Sequence, residues 1–559
     1  MNGLLMLIIA AVVLLLAYLL YGRWLAKKWG IDPKRPTPAH EFEDGVDYVP
    51  TRPSVVFGHE FASVAGAGPI NGPIQAAMFG WLPVMLWILI GGVFFGAVQD
   101  FASLYASVKN KGKTIGYIIE TYIGRTGKRL FLIFVWLFSI LVVAAFADIV
   151  AGTFGGFSAA GDKIDANAAV ATTSLLFILG AVLLGYLMRK LKPNGLVCGV
   201  MAVAALVFCI ALGLLFPVYV AKNIWLYVVF VYIFIASITP IWVLLQPRDY
   251  LNSFLLVAML IAAFIGIIFS APPVNIPAFV GFKVGNNYLF PILFVTVACG
   301  AVSGFHSLVA SGTASKQIDN ERHMLPIAFG SMLVESLLAI IALIAVSAIT
   351  VNGKLPEGIV TPPQVFASAV AGFLTKLGLP SNIIFTLISL SVSAFAITSL
   401  DSVARVGRLA FQELFTEDQN DGKTPLPVFK FLSNKIVATI ATLIVGYLLA
   451  ILGYANIWPL FGSANQLLAA LALISCAVFL KKTKRQGWML WGPMFIMLAV
   501  TFTALVFTIR QKAGRIADSS FTFSADGLQL IFAVLLLLLG IMVAVSGIKK
   551  LAEKEPAGA

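Results

Sequence analysis

Apolar runs long enough to cross a lipid bilayer occupy most of this chain. A membrane-spanning helix needs about 20 apolar residues, and 60% of the 559 residues are hydrophobic while only 11% are charged. In lipid, a helix satisfies its own backbone hydrogen bonds. The sequence therefore predicts an all-α polytopic membrane protein with about fifteen spans. The predicted spans are 3–22, 55–77, 81–108, 129–152, 168–190, 195–216, 223–245, 250–271, 290–312, 325–350, 382–412, 435–453, 458–480, 488–509 and 528–548.

Positive charge is distributed unevenly between the two sides of these spans. If the N-terminus lies outside, the cytoplasmic ends and loops hold 30 of the 38 Lys and Arg residues. The outer side holds the other eight, which are Lys163, Lys222, Lys283, Lys354, Lys376, Arg510, Lys512 and Arg515. This excess follows the positive-inside rule and predicts an N-out, C-in topology. The net charge of +13 therefore indicates membrane lipid as a partner, and no nucleic acid.

Two polar, glycine-rich interruptions lie inside the second and ninth apolar runs, at residues 58–73 and 298–312. Irregular backbone survives at membrane depth only where protein or a water-filled cavity satisfies it. A pair of such interruptions points to the binding site of a transporter. Glycine lets a ligand approach the backbone, and the N-terminus of a half-helix favours a carboxylate. The candidate substrate-binding residues are Ala65, Gly66, Ala67, Gly68, Ser303, Gly304 and His306.

Two adjacent amides, Asn465 and Gln466, lie inside the predicted span 458–480. They either line the same cavity or hold helices together, and we include them among the substrate-binding candidates. The glycines of the interruptions could likewise serve helix packing instead of substrate binding, because small residues let helices approach closely.

The predicted topology relates the two interruptions by inversion. The run 55–77 enters from the cytoplasm, and the run 290–312, seven spans later, enters from outside. Each is the first of five consecutive spans, which is the 5+5 inverted repeat of the LeuT-like (APC-type) fold. The stretch 361–378 is predicted to be a surface or re-entrant helix. The divisions are 1–54 (an extra N-terminal helix and a cytoplasmic linker), 55–216 (first repeat), 217–289 (two inserted helices), 290–480 (second repeat) and 481–559 (two extra C-terminal helices).

Ionisable side chains within the spans indicate function or a buried partner, because each costs about 2.5–3.5 kcal/mol to insert. Histidine can gain or lose a proton at physiological pH. His59 and Glu60 lie in the first interruption of the sequence and His306 lies in the second. We expect the two histidines to act in function. The candidate proton-coupling residues are His59, Glu60, Asp100 and Asp401.

Several buried charges have a structural alternative. Asp100 and Asp401 could instead pair with basic residues near the cytoplasmic face. Glu335 either acts in function or hydrogen-bonds to a neighbouring span, and Asp148, close to the outer end of its span, is predicted to be solvated. The basic candidates for pairing are Lys109, Arg405 and Arg408, while Arg248 and Asp249 are predicted to be structural.

Enzyme and cofactor motifs do not fit this chain. His59-Glu60 begins like a zinc-protease motif, but Ser63 stands where the second histidine ligand belongs. Gly66-Ala67-Gly68 begins like a dinucleotide-binding loop, yet no soluble βαβ unit surrounds it. Because the candidate residues lack the helical spacing of metal ligands, we expect no metal or organic cofactor, only a proton or sodium as coupling ion.

Six segments together resemble the carbon starvation protein A (CstA) family. They are 57–73, 96–101, 240–250, 298–312, 400–408 and 458–466. Members of that family are bacterial inner-membrane proteins linked to peptide uptake and, in some branches, to proton-coupled pyruvate uptake. The resemblance implies a multi-pass secondary transporter for a small carboxylate-bearing nutrient.

The sequence thus predicts a secondary transporter that imports peptides or small carboxylates such as pyruvate by proton symport, in the response to carbon starvation. One alternative is a sodium-coupled amino-acid symporter on the same fold. Another is a membrane nutrient sensor that signals without net transport.

Overall fold

Helices make up nearly all of the regular structure in the computed structural model. It describes residues 2–45, 47–158, 161–191, 195–239, 241–351, 353–356, 359, 361–416, 427–485, 487–517 and 521–553. Pro240, which opens one of the six family-like segments, lies outside the described residues.

The described residues of the N-terminal region and of the first half of the chain form eleven α-helices. The N-terminal region comprises α1 (Gly3–Leu16), α2 (Arg23–Trp29) and α3 (Pro38–Glu41). The first half then comprises α4 (Pro53–Val64), α5 (Gly68–Ala76), α6 (Trp81–Gly91), α7 (Ala97–Lys109), α8 (Ile115–Tyr122), α9 (Arg125–Phe154), α10 (Asp165–Leu191) and α11 (Gly195–Leu215). Helices α1 and α2 are joined by the π-helical turn Ala17–Gly22, and α6 and α7 by another at Gly92–Gly96.

Two inserted helices and a short hairpin lead into the second half. They are α12 (Lys222–Ile238), α13 (Ile241–Ser270), β1 (Lys283–Val284) and β2 (Asn287–Tyr288). The strands pair antiparallel, with Lys283 opposite Tyr288, around Gly285, whose positive φ of 58° suits a residue without a Cβ.

The second half and the C-terminal region contain the remaining helices. They are α14 (Leu289–Thr296), α15 (Gly304–Gly312), α16 (Ser331–Ile349), α17 (Pro362–Thr375), α18 (Ser381–Thr416), α19 (Pro427–Leu432), α20 (Lys435–Ala450), α21 (Tyr454–Lys482), α22 (Trp488–Ala517) and α23 (Leu528–Ala552). A π-helical turn at Leu325–Gly330 precedes α16.

Local sequence explains where several helices begin. The side chain of Asn434 accepts a hydrogen bond from the Ile436 N–H at the start of α20, and Thr361 forms a capping box with Gln364 at the start of α17. Both arrangements satisfy N–H groups that a helix start leaves unpaired. Helix α4 begins with Pro53, whose fixed φ suits the first helical position.

Each of the fifteen predicted spans overlaps a helix or a broken pair of helices, but the span predicted at 223–245 runs past α12, which ends at Ile238, into the start of α13. Among the described residues, ten helices are long and apolar enough to cross a membrane, and α12, α20 and the segment Phe254–Ser270 are shorter apolar helices. The chain is therefore a helical, multi-pass membrane protein. The total of fifteen spans and the N-out orientation stay predictions.

The same order of elements occurs in both halves of the chain. Each half begins with a broken helix, α4–α5 or α14–α15, and continues with a helix that contains a π-helical turn. A shorter helix follows, α8 or α17, and then an unusually long one. The two long helices, α9 and α18, pack extensively against each other. This order agrees with the predicted pair of five-span repeats, whose boundaries and inversion stay predictions.

Burial separates central from peripheral helices. The most apolar 18 residues of α21 are entirely buried, whereas the corresponding residues of Gly3–Trp29 and of α11 are 28% buried. Helices α22 and α23 pack against α21, and α13 packs against α10, α17 and α18. The helical stretch expected at 361–378 is present as α17. Most of its residues are buried against α13, α16 and α18, so it is not a surface helix.

The position of the first interruption differs from the sequence prediction. His59 and Glu60 lie within regular helix α4, and the backbone departs from helical geometry only at Ala65, where ψ is 51°. On this helix Phe57 and Phe61, one turn apart, stack on each other with ring centroids 6.0 Å apart. The irregular segment is therefore shorter than the glycine-rich pattern indicates.

Candidate functional site

The two broken helices meet at their interruptions. Helix α4 ends at Val64 and α5 begins at Gly68, while α14 ends at Thr296 and α15 begins at Gly304. A Cβ atom added to Gly68 would lie 2.4 Å from the Cys299 sulfur. This approach is closer than real side chains allow, so the contact between the two interruptions requires glycine.

A small cavity lies between these interruptions. Its free volume of about 20 Å³ has room for a water molecule, so a substrate would enter only if the surrounding helices moved apart. Helices α9, α18 and α21 complete its wall. Its lining includes Gly66, Gly68, Cys299, Ser303, Ser399 and Asn465, together with the phenylalanines Phe138, Phe146, Phe305 and Phe461.

Four of the predicted substrate-binding residues line this cavity: Gly66, Gly68, Ser303 and Asn465. Ala65 and Ala67 are fully buried beside it. Gly304 instead allows α15 to pack closely on α21, because an added Cβ would lie 2.4 Å from the Asn465 carbonyl oxygen.

The two amides of α21 hold the broken helix α14–α15 in place. The Asn465 side-chain oxygen accepts a hydrogen bond from the Phe305 N–H at 3.1 Å, and its Nδ2 donates to the Ser303 hydroxyl at 3.1 Å. Gln466 donates through Nε2 to the Phe294 carbonyl at 2.6 Å. Asn465 therefore both lines the cavity and connects helices, whereas Gln466 connects helices.

A central ion cluster lies directly behind the second interruption. We use this name for Glu60, Asp100, His306 and Glu335, which are all at most 2% exposed. The His306 Nδ1 atom lies 2.8 Å from Asp100 Oδ2, and its Nε2 atom lies 3.2 Å from Glu335 Oε2. Glu60, from α4, is close enough to interact electrostatically with both Asp100 and His306.

Gln99 connects the central ion cluster to the cavity. Its Nε2 atom donates to the Ser303 carbonyl at 2.8 Å and approaches Asp100 Oδ1 at 3.3 Å. Ser303 lines the cavity, and His306 follows three residues later at the start of α15. A change in backbone conformation at the second interruption would therefore alter both the cavity and the central ion cluster.

No metal site is evident in the described part of the chain. There, no group of three or more His, Cys, Asp or Glu side chains is arranged to hold a metal ion. The central ion cluster can instead exchange protons, since it combines an imidazole with three carboxyl groups.

A second buried group, the arginine cluster, contains Arg248, Asp401, Tyr232 and Asp249. Arg248 donates to the Asp401 carboxylate and, through Nη2, to Asp249 at 3.0 Å. The Tyr232 hydroxyl donates to Asp401 Oδ2 at 2.8 Å. Arg248 and Asp401 are at most 1% exposed.

The structure resolves the pairing alternatives for Asp100 and Asp401. Neither pairs with Lys109, Arg405 or Arg408, because Asp100 contacts His306 and Asp401 contacts Arg248. Arg405 and Arg408 instead donate to backbone carbonyls at the end of α12, where the helix dipole favours cations. Lys109 pairs with Glu321 at 2.5 Å.

One further sequence expectation is corrected. Asp148 is not solvated: it is 3% exposed, pairs with Lys222 at 2.8 Å and accepts a hydrogen bond from the Tyr454 N–H. The two candidate histidines have different neighbours. His59 is half-buried on α4 and interacts electrostatically with Asp249 of the arginine cluster, whereas His306 belongs to the central ion cluster.

Sequence reasoning singled out Glu335 as a buried charge but did not assign it to the site. Its depth in an apolar span was the available signal. Ser399 and the cavity phenylalanines carried no such signal, since a serine or an aromatic residue in a membrane helix is usually a packing residue.

Comparison with known proteins identifies the family. The family model for carbon starvation protein CstA matches residues 2–361 and 356–504. A peptide transporter CstA of Bacillus subtilis is 31% identical over 615 aligned residues, which cover 100% of this chain and 98% of that protein. A peptide transporter CstA of Escherichia coli is 32% identical, covering 90% of this chain and 80% of that protein.

Two further comparisons concern a relative with a different named substrate and a solved structure. The pyruvate/proton symporter BtsT of Escherichia coli is 31% identical, covering 88% of this chain and 80% of that protein. A manganese transporter of Eremococcus coleocola superposes with a TM-score of 0.49 and 14% identity over 89% of this chain and 94% of that one. The structural similarity is too low to support a conclusion, but the sequence matches are extensive: the chain belongs to the carbon starvation protein CstA family.

Proposed function

We propose that this chain is a secondary active transporter of the bacterial inner membrane that imports a small carboxylate or a short peptide by proton symport. The observation that carries the proposal is the position of the cavity. It lies between two broken helices, and Gln99 links Ser303 on its wall to Asp100 of the central ion cluster.

The relatives and the chemistry of the cavity support this function. The relatives are named as transporters of peptides or of pyruvate with protons, and none of the three names denotes an enzyme. Helix α5 starts at Gly68 on the cavity wall, and a helix N-terminus favours a carboxylate. The phenylalanines would cover the apolar part of the same substrate.

We place the protein in the response to carbon starvation, which the family name suggests.

The proposal is tested by uptake into proteoliposomes. Labelled pyruvate and a labelled dipeptide are offered in parallel, each under an imposed proton gradient or an imposed sodium gradient. Accumulation driven by the inward proton gradient supports the proposal and identifies the substrate class. Accumulation driven only by sodium supports a sodium-coupled symporter, and no accumulation from folded protein supports a nutrient sensor.

A further inference from the structure

The central ion cluster contains more acidic groups than a membrane interior tolerates as charges. If Glu60, Asp100 and Glu335 were all ionised beside a neutral His306, the cluster would carry three negative charges. Even a protonated His306 would leave two. Buried charges are stable only when they are paired, so the cluster must bind protons on its carboxyl groups.

Hydrogen bonding distinguishes the three carboxyl groups. Asp100 has donors: His306 Nδ1 at 2.8 Å and Gln99 Nε2 at 3.3 Å. Among the described residues, Glu335 makes no hydrogen bond of normal geometry, although His306 Nε2 lies 3.2 Å from its Oε2, and Glu60 Oε2 has no partner. Ionised carboxylates in apolar surroundings need donors. Asp100 therefore suits the charged partner of His306, and Glu335 suits a neutral acid.

Glu335 is also the acid whose protonation His306 can sense. The His306 ring lies between Asp100 and Glu335, with one nitrogen facing each. The charged or titratable groups facing Glu335 are His306 from α15, Asp100 from α7 and Cys299 from the second interruption. Loss of the Glu335 proton would place a carboxylate 3.2 Å from the Nε2 atom of the imidazole.

We infer that Glu335 carries the exchangeable proton of the transport cycle. Its carboxylate would take a proton from the outer solution, become neutral while substrate occupies the cavity, and release that proton to the cytoplasm after the protein opens inward. Cys299 and Ser303 line the cavity beside this cluster, so substrate binding and proton binding affect the same interruption. This inference depends on the proposed proton symport.

The experiment compares two transport modes of Glu335→Gln with those of the wild type. One is accumulation of the labelled substrate under a proton gradient, and the other is counterflow, the exchange of labelled for unlabelled substrate without any gradient. We expect accumulation to fall to the equilibrium level, while counterflow stays within about threefold of wild type and loses its dependence on pH. Glutamine keeps the size of the side chain but cannot release a proton.

Ser336→Ala is the matched control, because the Ser336 hydroxyl donates to the Met332 carbonyl within its own helix at 3.0 Å. It should accumulate substrate as the wild type does. Proton-driven accumulation by Glu335→Gln at the wild-type level would overturn the inference. If Glu335→Gln does not reach the membrane, Glu335→Asp replaces it: a shifted pH midpoint of uptake supports the inference, and an unchanged midpoint overturns it.

The two proposals fail in different ways. If the wild type accumulates neither pyruvate nor a dipeptide in response to a proton gradient, the proposed function fails. If the wild type accumulates substrate and Glu335→Gln does so equally, only the assignment of the proton to Glu335 fails.

Discussion

At the scale of single residues, the buried charges form two separate groups with different chemistry. In the central ion cluster the acidic groups outnumber the one base, and several oxygens have no partner among the described residues. In the arginine cluster, Asp401 has both a guanidinium and a phenol as donors. We therefore expect the first group to exchange protons and the second to stabilise the fold, although the sequence suggested Asp401 for proton coupling.

The arginine cluster permits a test by a double-mutant cycle. We expect Arg248→Gln to lower the free energy of unfolding by about 3–5 kcal/mol, because it leaves Asp401 buried without its counter-ion. Asp401→Asn should cost less, because Arg248 still pairs with Asp249. The double variant should recover most of this loss, since it removes both charges. Thermal unfolding in detergent measures the effect, and Ser402→Ala is the control. A single variant as stable as wild type would contradict the structural role.

Gly66 permits a steric test of the cavity. A Cβ atom at Gly66 would lie 2.4 Å from the Ser399 hydroxyl but 3.5 Å from its Cβ. Overpacking costs about 1–3 kcal/mol, so we expect Gly66→Ala to reduce uptake by about tenfold. Adding Ser399→Ala should restore it, because only the hydroxyl clashes.

Gly58→Ala is the matched control for this test. Gly58 lies on α4, eight residues before Gly66, and no atom would lie within 4 Å of an added Cβ. Uptake by Gly58→Ala should equal that of wild type. A double variant as inactive as Gly66→Ala would show that Ser399 is not the obstacle.

At the scale of elements, an N-terminal strap connects the two broken helices on the side that we predict to be cytoplasmic. The strap comprises residues 30–45 and 47–52, directly before α4, and it runs along residues 316–321, shortly after α15. Thr37 donates to the Ile318 carbonyl at 2.5 Å, and the Thr51 N–H donates to the Gln317 carbonyl. The strap therefore ties the start of α4 to the segment that follows α15, and we expect the two to move together.

Glu321 is the buried anchor of this strap. It is 1% exposed, pairs with Lys109 of α7 at 2.5 Å and accepts a hydrogen bond from the Asp32 N–H at 3.0 Å. Removing its charge weakens hydrogen bonds that are each worth about 1.5–3 kcal/mol. We expect Glu321→Gln to favour opening toward the cytoplasm.

Cys299 provides the measurement for this prediction, because it lines the cavity. In a background where Cys198, Cys209 and Cys476 are replaced by alanine, an impermeant thiol reagent is applied from the cytoplasmic side. We expect Glu321→Gln to raise the rate of Cys299 modification by roughly tenfold. Glu41→Gln, at an exposed glutamate of the strap, is the control. An unchanged rate in Glu321→Gln would rule out the strap as a restraint on opening.

At the scale of the whole molecule, local partners offset most of the basic residues on the predicted outer side. Lys222 pairs with Asp148, while Lys512 and Arg515 both pair with Asp526, which is 1% exposed. Lys163 and Lys283 lie over the rings of Tyr219 and Tyr288. The basic cluster at 510–515 departs from the positive-inside rule, but it has a buried counter-ion in Asp526. This cluster is therefore weaker evidence against the predicted orientation than its charge alone suggests.

Orientation is tested by labelling single cysteines in intact cells. Lys376 and Lys430 are both exposed and lie on opposite predicted sides. We expect an impermeant thiol reagent to modify Lys376→Cys in intact cells and Lys430→Cys only after permeabilisation. The parent protein, whose four cysteines lie within the predicted spans, is the control. The reverse pattern would mean that the topology is inverted.

The sequence by itself determined the membrane class, the positions of the helices, the two interruptions and the family resemblance. These features depend on hydrophobic length and on glycine and proline placement, which act over about 20 neighbouring residues. Only the tertiary structure decided which buried charges meet. Asp100 and His306 are 206 residues apart in the chain, and Asp401 is 153 from Arg248. A buried charge needs a partner, but several candidates of suitable charge exist, and helix packing selects among them.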